Sequence, residues 1–238
     1  MLEKKGNSNS DEHMRLLEAF VQLFPNAEVR CLCGDREFVG QSWLRYMLLK
    51  PAMPFRLRIR ASDKIKRNGK TLEAQVVFAH LKVGEAQRLK GPCRVWGWPV
   101  SVEALRLEDG KLLVVIGPQT GENLVADYAL RWGIETLFGL LKTRGFCLES
   151  THFTEAERLR KVFALLTLAL YWSLKTGLFL HQLKPIAIKK HGRRAKSLFR
   201  LGFDYLRQLL LNPSPLFEDD FRQTLDLLQI SVGTSCRL

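Results

Sequence analysis

The apolar residues of this chain change their rhythm once, and that change sets its fold class. Up to the break at Gly117, Pro118 and Gly121 they alternate or come in short runs; beyond Asn123 they recur at helical spacing. A helix is expected to start at Ser10, Asp11 and Glu12, to carry Leu16, Leu17, Phe20, Val21 and Phe24, and to end at Pro25 and Asn26. Residues 27–33 are a short apolar run, read as a buried strand that stops at Gly34 and Asp35. Residues 43–49 form a second helix, closed by Pro51 and Pro54. Residues 55–60 alternate strictly, with Phe55, Leu57 and Ile59 inward and Arg56, Arg58 and Arg60 outward, which predicts a half-exposed strand. Further β-type runs fall at 76–78, 94–98, 100–107 and 112–116, the last two joined by a Glu108, Asp109, Gly110 turn. The helical part reads as 124–143, 155–183 and two shorter helices within 195–211 and 217–228, parted by Pro213 and Pro215. The class is α/β, with a β-rich block in the middle and helices after it.

With 46% hydrophobic and 26% charged residues over 238, the chain can bury a sizeable core, which excludes a dominantly disordered or fibrous protein. Lysine and arginine number 37 against 24 acidic residues, a net charge of +13. That excess points to a polyanionic partner, nucleic acid before an anionic membrane. It is also concentrated. Between Phe55 and Lys70 seven basic residues meet Asp63 alone, and between Lys184 and Leu211 eight meet Asp204 alone. Together these runs account for the whole surplus. One such run is most simply a solvated face; two against a nearly neutral remainder favour contacts with phosphates.

The longest apolar stretch, 162–180, is interrupted by Thr167, Ser173, Lys175, Thr176 and Gly177, and is expected to be a buried core helix rather than a membrane span. Residues 1–13 are polar, without the apolar centre of an export signal. Cys31, Cys33, Cys93, Cys147 and Cys236 are odd in number and form no C-x-x-C pair, which fits thiols in a reducing cytoplasm better than disulfides or zinc.

On a helix of 3.6 residues per turn over 124–143, Tyr128, Arg131, Glu135 and Lys142 fall within an arc of about 60°. Leu130, Ile134, Leu137 and Leu141 fall opposite, so periodicity predicts a buried leucine face and an exposed polar stripe. An amphipathic surface helix would account for the pattern. A tyrosine in the stripe, and one carboxylate flanked by two cations and a phenol, suit a phosphate oxygen held near a metal.

The spacing Tyr128-x2-Arg131-x3-Glu135-x6-Lys142 resembles the Y-R-E-K signature of bacterial insertion-sequence transposases, insertion sequence family 4 of the DDE superfamily. Asp35-Arg36-Glu37-Phe38, following the strand at 27–33, resembles the D-R-E-F box that carries that family's second catalytic aspartate. The stretches Gly6-Asn7-Ser8-Asn9 and His191-Gly192-Arg193-Arg194 are similar to the family more weakly.

The resemblance implies a partial RNase H-like fold, with Asp35 ending a core strand, Glu135 on a later helix, and a β-rich insertion between them. It divides the chain into a partial core over 1–62, the insertion over 63–118, the rest of the core over 119–183 and a basic helical region over 184–238. Asp35 and Glu135 are the implied catalytic, metal-holding residues, with Mg²⁺ as the ion and Mn²⁺ as its substitute. Tyr128, Arg131 and Lys142 are the implied grip on transposon-end phosphates. Arg56, Arg58 and Arg60 would add phosphate contacts, and Trp132, with Trp96 or Trp98, would stack on an unpaired base or serve the core instead. The implied partner is double-stranded DNA at transposon ends, with a second copy or a full-length transposase as protein partner and no membrane. The expected location is the bacterial cytoplasm, with the nucleoid. The family's first aspartate lies on a strand upstream of the segment resembling residues 1–24, and no acidic residue before Asp35 follows an apolar β-run. The sequence is therefore expected to be an N-terminally truncated transposase, inactive as an isolated chain. The alternative is a non-catalytic DNA-binding or inhibitory partner of a full-length enzyme.

Overall fold

The computed structural model describes residues 8–38, 40–49, 53–120, 122–190, 192–212 and 218–228. Its contacts divide the chain into two units, Leu2–Thr136 and Leu137–Leu238. That is a coarser division than the four segments read from the sequence.

In the first unit α1 (Ser10–Leu23) is held at its start by a reciprocal cap. The Asn9 side chain accepts from the Glu12 amide at 3.0 Å, and the Glu12 carboxylate accepts from the Asn9 amide at 2.8 Å. The strands β1 (Leu32–Gly34) and β2 (Phe55–Ile59) flank α2 (Gln41–Leu49) in the sequence. They are followed by β3 (Lys64–Arg67), β4 (Lys70–Glu73), α3 (Ala74–Val77), β5 (Ala86–Arg88), β6 (Cys93–Val95), β7 (Trp98–Arg106) and β8 (Leu112–Gly117). All eight strands join one mixed sheet of order β1-β2-β8-β7-β6-β3-β4, with β5 on β7. β1 runs parallel to β2, while β2 and β7 each run antiparallel to β8. The sheet therefore passes straight through the expected boundary at residue 63, because β8 returns to lie between β2 and β7. The mixed α/β class expected from the sequence is the one observed.

Three expectations fail here. The strand read over 27–33 is only Leu32–Gly34. Residues 76–78 are not a strand: the chain turns after β4 into the short α3, and Phe78 ends fully buried in the core. Nor is β2 half exposed. It lies between two strands, and both of its faces are covered. Phe55, Leu57 and Ile59 join Trp43, Leu44, Val102, Val114 and Ile116 in the main core. The opposite face meets α4 (Leu124–Ala129), which packs Leu124 and Tyr128 against Leu113 and Val115. Alternation along a strand reports two different faces, and here neither is water.

In the second unit a π-helical turn (Leu140–Arg144) is followed by α6 (Ala156–Leu183), α7 (Leu198–Leu211) and α8 (Glu218–Asp226). α6 is long and apolar enough to cross a membrane by length and composition, and it is not the buried core helix expected. It buries Leu170, Ser173, Thr176 and Gly177, the side facing α7, while Phe163, Leu165, Leu168 and Leu178 remain exposed. The crossing is set by two glycines. A Cβ on Gly177 would strike the Leu198 carbonyl, and one on Gly202 would strike the Ser173 carbonyl. Backbone therefore lies on backbone, and Leu141, Leu170 and Phe199 fill the wedge beside it. Gly202→Val is expected to cost about 1–3 kcal/mol, the range for forcing extra methyls into a packed contact. Chemical denaturation of variant and parent measures it.

Candidate functional site

The end of β1 delivers Asp35. Gly34, just before it, has no room for a side chain: a Cβ there would lie 2.7 Å from Leu57 Cδ2 and 2.9 Å from Phe38 Cβ. Phe38 closes the turn, its amide donating to the Asp35 carbonyl at 2.8 Å. The Asp35 carboxylate accepts from the Arg36 amide at 2.7 Å and stays partly open to solvent.

α4 is fixed on the sheet by Arg56. Its Nη2 and Nε donate to Asp127 Oδ2 at 2.6 and 3.0 Å, Nη1 donates to the Phe55 carbonyl, and Nη2 also reaches the Glu122 carbonyl. The Arg56 side chain is 7% exposed and that of Asp127 17%. A guanidinium so buried is tolerated because its donors are met in a fork geometry. Arg56 thus points away from solvent and is spent on α4, against the expectation of an outward DNA contact. Asp127 is the residue that sequence reasoning missed. Its only signal was that it stands one position before Tyr128.

The helix expected over 124–143 does not run through. α4 stops at Ala129, α5 (Trp132–Gly139) starts afresh, and the π-helical turn follows. Across the break the bonds tighten to i→i−3, with Arg131 N–H to the Tyr128 carbonyl and Ile134 N–H to the Arg131 carbonyl. The phase resets, and the predicted faces invert around the break, while further on Leu141 is buried and Glu135 and Lys142 are exposed as expected. Tyr128 is buried, while Leu130 and Ile134, expected inside, are 57% and 44% exposed.

The break turns Arg131 toward Asp35. Its Nη2 donates to Glu135 Oε1 at 2.8 Å, and its Nη1 lies 3.9 Å from Asp35 Oδ2. One guanidinium therefore stands between two carboxylates that are a hundred positions apart in sequence, and its carbon lies 5.5 Å from the centre of the Tyr128 ring. Burial opposes the charge on Arg131, but Tyr128, Glu135 and Asp35 outweigh it and hold the group above its ordinary value. Burial, helped by the Asp35 charge, raises the Tyr128 phenol against the pull of Arg131 and Arg58, so it stays protonated. Three buried polar atoms here make no well-formed hydrogen bond among the described residues, although the Arg131 guanidinium lies close to the Tyr128 hydroxyl: Tyr128 OH, Arg131 Nε and Arg58 Nε. Such orphans are costly unless something arrives to meet them.

The other expected residues are more scattered. Arg58 is half-buried beside Tyr128, and Arg60 is exposed. Trp132 is 59% exposed at the start of α5, whereas Trp96 and Trp98 pack partly buried against the main core. Lys142 belongs to the second unit, on the π-helical turn, where its ammonium lies 3.7 Å from Glu149. Burial above all, then the neighbouring Cys31 thiol at 3.7 Å, pushes the Cys33 thiol up to about 12, so Cys33 is held protonated. Cys31, Cys33, Cys93 and Cys147 are all free thiols.

As donors, Asp35 and Glu135 are hard oxygens suited to a small divalent cation, which commonly takes one or two carboxylates and fills its shell with water and phosphate. Among the described residues no group of three or more His, Cys, Asp or Glu comes together. Among the described residues the set is two carboxylates with Arg131 between them.

The sequence matches the family described as "Transposase DDE domain" over residues 3–172. The chain belongs to that family. No curated protein matches it. Among solved structures it is similar to a piggyBac transposase in a synaptic complex with hairpin DNA, at 11% identity and a TM-score of 0.45. The match covers 99% of this chain and 48% of that one, so the chain spans about half that protein's length.

The Arg56 staple can be tested apart from any DNA. Arg56→Ala leaves Asp127 without its main partner and is expected to destabilise the fold by about 3 kcal/mol or more. Arg60→Ala, at an exposed site, should fall within about 0.5 kcal/mol of the parent. Denaturant unfolding of the two variants separates a staple from a surface cation.

Proposed function

We propose that this chain is a DNA-acting transposase domain of the insertion sequence family 4 type, contributing Asp35 and Glu135 to a metal-dependent phosphoryl-transfer site. The observation that carries the reading is the shared guanidinium. Residues from the end of β1 and from α5 meet on Arg131 in a place where three buried polar atoms wait for partners. Divalent ions, Mg²⁺ or Mn²⁺, would activate the attacking oxygen and steady the leaving one when bound there. The chain's own residues do the rest. Asp35 and Glu135 hold negative charge open to solvent. Tyr128, neutral beside Arg131, offers its hydroxyl to a phosphate oxygen. Arg131, released from the carboxylates, offers a fork that fits the same phosphate. Lys142, Arg58, Arg60 and Trp132 extend the DNA-contacting set, and Arg56 leaves it.

Among the described residues no third carboxylate joins Asp35 and Glu135. On that reading the chain alone neither cleaves nor joins DNA with either ion. A non-catalytic partner of a full-length transposase is the second reading, and metal binding separates the two.

Manganese binding, read by electron paramagnetic resonance, tests the pair. Asp35→Asn and Glu135→Gln are each expected to weaken it by roughly tenfold or more, a scale on which even outer-sphere partners of a metal act. Arg131→Ala should tighten it in the absence of DNA, because a competing cation has gone, and should weaken DNA binding. Manganese binding indifferent to both carboxylates would sink the catalytic assignment and leave the non-catalytic partner.

A further inference from the structure

The connection between α6 and α7 is a formed object. Ile188 pairs with Arg194 in an antiparallel bridge, and Ala195 N–H donates to the Ala187 carbonyl at 2.8 Å. Lys189 N–H meets the Arg193 carbonyl and Gly192 N–H meets the Lys189 carbonyl, both at 2.9 Å, closing the tip with Gly192 at φ +78°. Its base is tied to the end of α6 by the Ile186 amide, which donates to His181 Nδ1 at 2.9 Å. Residues 187–190 and 192–195 thus face each other across one antiparallel bridge, a minimal two-stranded ribbon.

This ribbon has no stability of its own to offer. Every described residue from Ala187 to Ser197 is exposed, so it buries no apolar face, and Ile188 stands 70% exposed. Lys184, Lys189, Lys190, Arg193, Arg194 and Lys196 crowd it with no acidic residue in that stretch. Lys196, like Arg200, leans on Asp204. Lys189, Lys190 and Arg194 have no carboxylate partner among the described residues. A lone hairpin is marginal in water, and like charges along it make it worse. Order without burial, at a cost in repulsion, is the mark of a surface shaped for a partner of opposite charge.

We propose that the ribbon of residues 187–190 and 192–195 seats in the major groove of double-stranded DNA, with its lysines on the flanking phosphates and Ile188 against the groove floor. The groove is about 12 Å wide and admits a two-stranded ribbon. Alanines at 187 and 195 keep the ribbon slim at its base, and an exposed isoleucine between cations has an apolar surface to meet in the thymine methyls. A-form RNA is a poor fit, because its deep, narrow major groove shuts side chains out. The inference rests on the DNA-acting reading but not on the carboxylate pair.

The test uses the full chain and a mixed-sequence duplex of about three helical turns. Fluorescence anisotropy over a salt series reads the phosphate contacts, and dimethyl sulfate protection of guanine N7 reads the major groove. Replacing Lys189, Lys190 and Arg194 together by Ala should flatten the log–log salt slope by about 2.5–3, close to 0.9 for each phosphate released. It should also abolish N7 protection. Lys189→Gln with Lys190→Gln should give about two thirds of that loss in slope, and Lys111→Ala, whose ammonium is paired with Asp109 on the turn between β7 and β8, none. DNA binding with an unchanged slope in the threefold variant overturns the ribbon and leaves the DNA-acting reading standing. So does a flattened slope where the parent shows no N7 protection, or equal binding of duplex RNA. A parent chain that binds no DNA overturns both.

Discussion

The Arg56–Asp127 contact is the hinge on which the rest of the first unit turns. A central strand carrying an arginine toward a helix would ordinarily open the sheet to water. Here the guanidinium meets one carboxylate and two backbone carbonyls, so the charge enters the interior with its donors met. That fixes α4 against β2 and β8, and with it the position of Tyr128 in the small second core. Tyr128 then carries the ring over which Arg131 stands. Breaking the staple would shift the residues that gather the two acids before it touched either acid.

Much of the order of elements was legible in the sequence, because turns and apolar rhythm are local; β3, β4 and β5, which carry no apolar run, were not. Gly34 and Asp35 ended a strand as expected, and the Glu108, Asp109, Gly110 turn joins β7 to β8. What the rhythm could not supply was the environment of each face. Arg56, Arg58 and Arg60 share one pattern and have three fates: buried, half-buried and exposed. The difference comes from α4 and Asp127, which lie about seventy positions away and leave no trace in the local alternation.

The polar line of Tyr128, Arg131, Glu135 and Lys142 was legible as spacing and illegible as geometry. A wheel of constant pitch places them on one exposed stripe. The chain breaks that pitch twice, with tight bonds at Arg131 and a π-helical turn at Leu140–Arg144. Both are costs to an ordinary helix, and such turns cluster where side chains must be aimed rather than stacked. The outcome is that Tyr128 goes inward, Arg131 faces Asp35, and Leu130 and Ile134 face out. No propensity scale contains that reversal, since it follows from packing Tyr128 on the sheet.

Charge tells the same story from the other side. The two basic runs of the sequence looked alike, yet the first spends Arg56 inside the fold while the second raises a ribbon that buries nothing. Net charge alone cannot separate a cation that holds a fold from one that meets a ligand. Partners and burial can. Arg131 lies between these cases: largely covered, paired with two acids, yet placed where both acids keep a face to water. On the proposed reading Asp35 and Glu135 would hold a divalent ion, and Arg131, no longer needed to balance them, would stand as a charged fork beside the Tyr128 phenol, shaped for a phosphate oxygen.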